Sequence, residues 1–189
     1  MEASRVAGAK KKARQEDRTI VFVDESGLST RPHRVRTWAP RGQTPVLQET
    51  FNWTKLSVIA GLSHLQFYFR IYEGSIRGPQ AADFLQKLLQ HIPGKLLVIW
   101  DGAAIHRSAP VKELLAKTNG RLWLARLPAY APELNPVEYL WGHLKEKEIA
   151  NLLVRDAWSL SFWATRALRR MRRRPSIIRA CWSQSSLCL

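Results

Sequence analysis

Cysteine is nearly absent from this chain of 189 residues, and both cysteines, Cys181 and Cys188, lie within its last nine positions. They lack the paired Cys-x-x-Cys spacing that structural zinc sites use. Neither a disulfide framework nor a structural zinc is therefore expected.

Long hydrophobic runs are also missing. No apolar stretch approaches the roughly 18 residues that a membrane-spanning helix requires. The basic N-terminus passes into Gln15-Glu16-Asp17 without the hydrophobic segment of a signal peptide. There is no glycine-rich phosphate loop with its lysine and no recognisable Ser/His/Asp arrangement. We expect a cytoplasmic protein with no membrane partner.

Acidic residues are scarce relative to basic ones. Fifteen Asp and Glu stand against thirty Lys and Arg, which gives a formal net charge of +15. Such an excess favours a polyanionic partner, and nucleic acid is the first candidate. The alternative is a basic surface that binds nothing, since net charge bears on association and not on fold.

The chain divides into three segments by composition. Residues 1–17, which include Lys10-Lys11-Lys12, are expected to form a basic, solvated lead-in or linker remnant. Residues 18–150 carry the apolar runs of one compact domain. Residues 151–189 are expected to form a basic amphipathic helical region.

Apolar patterning predicts the elements of the central domain. Strands are predicted at about residues 19–23, 55–60, 65–72, 95–101 and 121–127, and helices after Gly78-Pro79, at about residues 108–117 and after Pro136. A meander of three strands followed by alternating helices and strands predicts an α/β fold, with a mixed five-stranded sheet flanked by helices.

Three carboxylates stand where chemistry gathers in such a sheet. Asp24 and Asp101 each end an apolar strand run, and Glu138 lies at a helix start behind a proline-stiffened loop. Active sites of open α/β sheets lie at the carboxyl ends of strands, so we expect the acids to meet there. Acids from two strand ends and one helix are what a nuclease needs to hold divalent cations against a phosphodiester.

Each acid also has a purely structural interpretation. Asp24 and Asp101 precede turn-forming residues and would suit local hydrogen bonding in a turn. With Asn135 as N-cap and Pro136 as the first helical residue, Glu138 takes the third position and would close a capping box. We favour metal binding because all three acids occur together in a consistent order and context.

Three segments carry a family resemblance. They are Val23-Asp24-Glu25-Ser26-Gly27, Trp100-Asp101-Gly102-Ala103-Ala104-Ile105-His106 and Pro132-Glu133-Leu134-Asn135-Pro136-Val137-Glu138-Tyr139-Leu140-Trp141. Together they resemble the catalytic domain of mariner-type DDE transposases, in particular the bacterial insertion-sequence 630 branch. The resemblance spans about residues 20–147, and the Asn-Pro-x-Glu segment with its downstream Trp is the specific part.

The resemblance implies a ribonuclease-H-like fold in which Asp24, Asp101 and Glu138 are the catalytic, metal-binding acids. It implies two Mg²⁺ ions per site, with Mn²⁺ as a substitute, and the ends and target of a mobile DNA element as substrates, which would place the protein at the nucleoid. It also implies a homodimer on DNA or a separately encoded helix-turn-helix subunit, because the family's N-terminal DNA-reading region is not found here. Gly102 stands where the family commonly has Asn.

Several further residues are candidates for a role at the site or on DNA. His106 would position water or phosphate near the metals, or would simply be bonded locally. Asn135 is a candidate supporting residue, and Trp141 is expected to be core. DNA-backbone contacts are expected from Arg34, Arg36, Arg41 and Arg107, and from Arg166, Arg169, Arg170 and Arg173 on a helix predicted over residues 160–171. The alternative for all eight is an ordinary solvated face.

The function expected from these features is metal-dependent DNA cleavage and strand transfer of an insertion sequence, by a catalytic domain without its DNA-reading domain. One alternative is a catalytically idle DNA-binding remnant or inhibitor. A further alternative is a hydrolytic nuclease of the same fold.

Overall fold

The computed structural model describes residues 2–46, 54–64, 66–128 and 131–185. The strands are β1 (Arg18–Ser29), β2 (Lys55–Leu62), β3 (Phe67–Glu73), β4 (Lys95–Trp100) and β5 (Leu122–Arg126). The helices are α1 (Glu2–Gln15), α2 (Gly78–His91), α3 (Ala109–Lys117), α4 (Pro136–His143), α5 (Ala157–Arg172) and α6 (Pro175–Gln184). Over these ranges, no helix is both long enough and apolar enough to cross a bilayer.

The strands form a single sheet in the order β3-β2-β1-β4-β5. β1 and β3 run antiparallel to β2, whereas β4 runs parallel to both β1 and β5. The connection from β3 to β4 passes through α2, and the connection between the parallel, paired strands β4 and β5 is a crossover through α3. The predicted mixed five-stranded sheet flanked by helices is confirmed.

β1 is longer than the sequence predicts. Its parallel pairing with β4 stops at Phe22 opposite Ile99, but its antiparallel pairing with β2 continues to Ser29. The prediction that the strand ends at Asp24 is therefore wrong, because Asp24 is paired with Ala60 within the ladder. Asp24 lies just beyond the point where β1 and β4 separate.

The hydrophobic core has two parts, one on each face of the sheet. Val21 and Val23 point to the face covered by α2 and α3, and Phe22 points to the face covered by α4, α5 and α6. Successive side chains alternate across a strand, so Asp24 shares the α4 face with Phe22. This alternation decides which helix Asp24 meets.

The N-terminal segment is not a solvated linker. It forms α1, in which Ala13 is fully buried and the Lys12 Nζ lies 4.3 Å from the centroid of the Trp123 ring. No apolar stripe in the sequence indicates this helix, since its anchoring contacts come from one small residue, Ala13, and from Lys12. The expectation of a solvated lead-in over residues 1–17 is corrected.

The C-terminal region contains two helices where one was predicted. In α5, the apolar side chains Leu160, Ala164, Leu168 and Met171 are buried against the sheet face. In α6, Ile177, Ile178, Cys181 and Trp182 complete the same core. Both helices are part of the body of the domain.

Arg18 joins α1, β1 and β5 at one end of the sheet. Its guanidinium donates to the carbonyls of Gly120 and Arg121 at 3.0 and 3.2 Å, pairs with Glu16 at 2.8 Å and lies 3.5 Å from the Trp123 ring centroid. The side chain is only 2% exposed. A single ammonium group lacks the planar fork that reaches all of these partners.

We therefore expect Arg18→Lys to lower the free energy of unfolding by about 1–3 kcal/mol, the usual cost of losing charged hydrogen bonds that are buried. Urea denaturation followed by circular dichroism measures this change. Arg14→Lys, on the exposed side of α1, is the matched control and should have no effect. Equal stability of the two variants would contradict the role given to Arg18.

Candidate active site

Asp24 is a buried carboxylate on the α4 face of β1. The residue is 7% exposed, and its Oδ2 accepts a hydrogen bond of 2.8 Å from the indole Nε1 of Trp141. Trp141 is 3% exposed, which confirms its predicted place in the core. Its second role, as a donor to Asp24, was not predicted. The indole therefore fixes one oxygen of the carboxylate.

Asp101 follows the last residue of β4 directly, as predicted. Its Oδ1 accepts the backbone N–H of Ala103 at 2.9 Å, so it also forms the local turn that was the structural alternative. The residue is half-buried, with its side chain 50% exposed. Asp101 thus stands at the open edge of the sheet, next to the end of the β1–β4 pairing.

Glu138 lies in the first turn of α4, and Asn135 positions this helix. The Asn135 Oδ1 accepts the N–H of Val137 at 3.2 Å, and its Nδ2 donates to the carbonyl of Val23 at 3.4 Å. The Asn135 N–H donates to the carbonyl of Pro132 at 2.8 Å and the Glu138 N–H to the carbonyl of Asn135 at 3.1 Å, so the capping-box interpretation is wrong. Asn135 ties the helix that carries Glu138 to the residue before Asp24.

The charges of the acids act on one another. Burial is the largest cause of a rise in the pKa of Asp24 to about 8; the carboxylates of Glu138, Glu25 and Asp101 contribute to the same rise, and the Trp141 hydrogen bond acts against it. Among the described residues, the charged groups that shift the pKa of Asp24 are all carboxylates, in a chain of net charge +15. We call the end of the sheet that carries Asp24, Glu25, Asp101 and Glu138 the acidic edge. Its negative charge favours a bound cation.

The acids do not form a closed ligand cage. In the part of the chain that the structure describes, no group of three His, Cys, Asp or Glu side chains is arranged to hold a metal ion. One oxygen of Asp24 is bound to Trp141 and one of Asp101 to Ala103. The donors at this edge are hard carboxylate oxygens, which suit Mg²⁺ and Mn²⁺ and do not suit softer metals.

His106 links the two strands that carry the aspartates. Its Nδ1 lies 3.1 Å from the Asp101 Oδ1, its Nε2 lies 3.3 Å from the Glu25 Oε1, and its ring stacks on Trp100 with centroids 3.6 Å apart. The local bonding that was one alternative for His106 is therefore present. Glu25 was missed by the sequence reasoning, although it follows Asp24 directly. The only signal was two consecutive acids within one strand.

Arg126 was also missed. It is the exposed last residue of β5, opposite Trp100 in the parallel ladder. A Cβ placed on Gly102 would lie only 2.5 Å from the Arg126 Nη2, so the guanidinium lies across the residue that follows Asp101. The absence of a side chain at position 102 makes room for an arginine at the acidic edge.

The predicted DNA-binding arginines are all exposed, and they fall in four places. Arg34 and Arg36 flank Val35, whose N–H and carbonyl bond to the side chain of Asn151 at 2.9 and 3.0 Å. Arg107 follows His106, at the acidic edge. Arg41 lies in the irregular segment before residue 46. Arg166, Arg169 and Arg170 lie on the outer face of α5, and Arg173 is its C-cap residue.

A family model described as DDE superfamily endonuclease matches residues 19–161. The chain belongs to this family. The match takes in all three candidate acids and most of the sheet and its helices. No curated protein matches this DDE endonuclease in sequence.

Solved structures show the same fold. The pre-cleavage Mos1 transpososome is 16% identical, with a TM-score of 0.64 over 97% of this chain and 61% of that chain. The mariner Mos1 paired-end complex with Mg is 15% identical, with a TM-score of 0.60 over 100% of this chain and 63% of that chain. The Mos1 catalytic domain is 15% identical, with a TM-score of 0.56 over 97% of this chain and 91% of that domain. The DDE endonuclease therefore shares the fold of the Mos1 catalytic domain and spans about three fifths of the Mos1 chains in the DNA complexes.

The raised pKa of Asp24 makes a prediction about stability in the absence of divalent cations. Between about pH 4 and 8 the native state holds the Asp24 proton more tightly than the unfolded state, so this group's contribution to stability falls as the pH rises. Asp24→Asn removes the titration. Its melting temperature should match wild type near pH 4 and exceed it at pH 8 by at least about 2–4 °C, which corresponds to about 1 kcal/mol.

Thermal melts in EDTA at several pH values test this expectation. Glu113→Gln, on the exposed face of α3, is the matched control and should follow wild type throughout. A constant offset between Asp24→Asn and wild type at all pH values would show that the Asp24 proton is not linked to folding.

Proposed function

We propose that this DDE endonuclease cleaves DNA strands with divalent cations held by Asp24, Asp101 and Glu138, and joins the freed 3′-hydroxyl to target DNA, as the catalytic domain of an insertion-sequence transposase. The observation that carries the proposal is that Asp24 and Asp101 follow the end of the β1–β4 pairing, with Asp101 and Glu138 both near enough to raise the pKa of Asp24. The match to the DDE superfamily endonuclease family over residues 19–161, which include all three acids, supports it.

The three acids would hold the cations in different ways. Asp24 and Asp101 stand on neighbouring parallel strands and supply a rigid base. Glu138 is exposed on α4 and approaches from the side. Two Mg²⁺ ions, or Mn²⁺ as a substitute, would activate the attacking oxygen and stabilise the leaving oxygen of an in-line displacement. Trp141 and His106 orient the aspartates, and Asn135 sets the position of α4.

DNA is the proposed partner, both as element ends and as target. The excess of basic residues supports it, and the solved Mos1 structures include complexes with a transposon end. Backbone contacts would come from Arg34, Arg36, Arg41 and Arg107 and from the arginines of α5. We also propose that sequence-specific reading depends on a homodimer or on a helix-turn-helix subunit.

A second candidate function is DNA binding without turnover, in the manner of an inhibitor of a complete transposase. The observation that favours it is the open arrangement of the acids, which form no closed metal-binding group among the described residues. The two candidates differ in whether cations bring the acids together.

The decisive variant is Asp101→Asn. Wild type should nick duplex DNA in Mg²⁺ or Mn²⁺, whereas Asp101→Asn should lose nicking because an amide holds a hard cation poorly. Its affinity for DNA should be unchanged or higher, since one negative charge near the phosphates is removed. A gel assay of plasmid nicking and a filter-binding assay measure the two properties, with Glu113→Gln as the active control.

Each outcome separates the candidates. Equal nicking by wild type and Asp101→Asn would contradict metal catalysis at this edge. DNA binding by wild type without cleavage in any metal would select the second candidate. Labelled 3′ ends joined to a second DNA would support strand transfer, and free ends alone would indicate a hydrolytic nuclease.

Trp141→Phe tests the support of Asp24. The change keeps an aromatic ring but removes the donor that lowers the pKa of Asp24, so the carboxyl will be less ionised at neutral pH. Cations then compete with a proton, and the pH profile of Mg²⁺-dependent cleavage should shift towards higher pH.

Trp182→Phe is the matched control, because it removes an indole donor to the Ser63 carbonyl, away from the acids. Its pH profile should equal that of wild type. Coincident profiles for all three proteins would show that the Trp141 hydrogen bond does not tune Asp24.

A further inference from the structure

The outer face of α5 carries aromatic side chains that the core does not use. Trp158 is 75% exposed, Phe162 is 46% exposed and Trp163 is 44% exposed. The rings contact one another, with Trp158 and Phe162 stacked at 5.7 Å and Phe162 and Trp163 edge to face at 5.4 Å. Contiguous exposed aromatic surface of this kind marks a binding face.

Arginines continue the same face towards the end of the helix. Trp158, Phe162, Arg166, Arg169 and Arg173 follow one another at intervals of three or four residues, which places them along one line of the helix surface. The line is about 22 Å long at 1.5 Å per residue. We call these five residues the aromatic–arginine stripe.

The stripe is attached to the helix of the acidic edge. α4 continues into a π-helical turn, Leu144–Glu148, and the Glu148 carboxylate accepts a hydrogen bond of 2.6 Å from the Arg170 Nε beside the stripe. Glu148 also lies 3.6 Å from the Arg174 Nη1. One buried acid therefore faces two arginines next to the stripe and leaves this surface strongly positive.

We propose that the aromatic–arginine stripe binds single-stranded DNA, with unpaired bases stacked on Trp158 and Phe162 and phosphates bound by Arg166, Arg169 and Arg173. The positive charge selects a polyanion. In a duplex the base faces are already stacked, so exposed rings add nothing to backbone binding. Unpaired bases offer free faces to aromatic rings, and rings within a cationic track are how proteins hold single strands.

The inference rests on the proposed function for its setting, since a strand separated near a cleavage site is the natural source of unpaired bases. A second copy of this chain fits less well, because it would bring the same excess of positive charge to the stripe. Binding itself requires neither metal nor cleavage.

The test uses the full chain in EDTA. Fluorescence anisotropy would measure the Kd for a fluorescein-labelled oligothymidine of twelve nucleotides and for a twelve-base-pair duplex, each at several salt concentrations. Trp158→Leu with Phe162→Leu keeps an apolar surface but removes stacking. It should weaken single-strand binding by about 10-fold or more and leave duplex binding within about two-fold. Trp158→Phe alone should retain most of the single-strand affinity.

Charge is tested separately. Arg169→Gln should weaken binding of both DNA forms and reduce the slope of log Kd against log salt by about one. Lys112→Gln, exposed on α3, is the control and should change neither. Circular dichroism melts would confirm that each variant is folded, which the exposure of the replaced side chains favours.

Three results would overturn the inference. The first is unchanged single-strand binding by the double leucine variant. The second is a loss of duplex binding equal to its loss of single-strand binding. The third is a double leucine variant that sediments as a smaller species than wild type, which would show that the stripe is a contact between copies of the chain. The proposed function fails separately. If the chain binds single-stranded DNA through the stripe but never cleaves DNA, only the catalytic proposal is contradicted. If the chain cleaves DNA and the stripe variants bind single-stranded DNA as well as wild type does, only the proposal of single-strand binding is contradicted.

Discussion

The parallel pairing of β1 with β4 is the constraint on which the site depends. This pairing ends at Phe22 and Ile99, and the first residues beyond it include Asp24 on one strand and Asp101 on the other. Two chain positions 77 residues apart thus meet at one edge, because both strands run in the same direction and are buried on both faces. The antiparallel pairing of β1 with β2 then holds the backbone of Asp24 in the ladder.

A buried carboxylate that is repelled by neighbouring carboxylates lowers the stability of the fold. The hydrogen bond from Trp141 offsets part of this cost at Asp24. Asp24 faces other acids, and its partner on the same face is the indole of Trp141. Asn135 anchors the same helix to the carbonyl of Val23. The helix that carries Glu138 is therefore held to β1 by two hydrogen bonds, one from Asn135 to the Val23 carbonyl and one from Trp141 to the Asp24 side chain. Function at this edge would be supported at the expense of stability.

Local patterns in the sequence predicted the strands and the crossover helices, the place of Asp101 directly after β4 and that of Glu138 in the first turn of α4. They failed where the deciding contacts are distant or unusual. α1 shows no apolar stripe, and the pairing of β1 beyond Asp24 depends on β2. The contact of His106 with Glu25 joins residues 81 positions apart, and the closeness of Arg126 to Gly102 depends on the register of β5. None of these has a periodicity that a single sequence displays.

The central claim is that Asp24, Asp101 and Glu138 share divalent cations at this edge. Titration of Mn²⁺, followed by the electron paramagnetic resonance signal of the free ion, tests it without DNA or turnover. The account predicts saturable binding by wild type that is weakened in each of Asp24→Asn, Asp101→Asn and Glu138→Gln. Binding of the same stoichiometry and affinity in wild type and all three variants would contradict it.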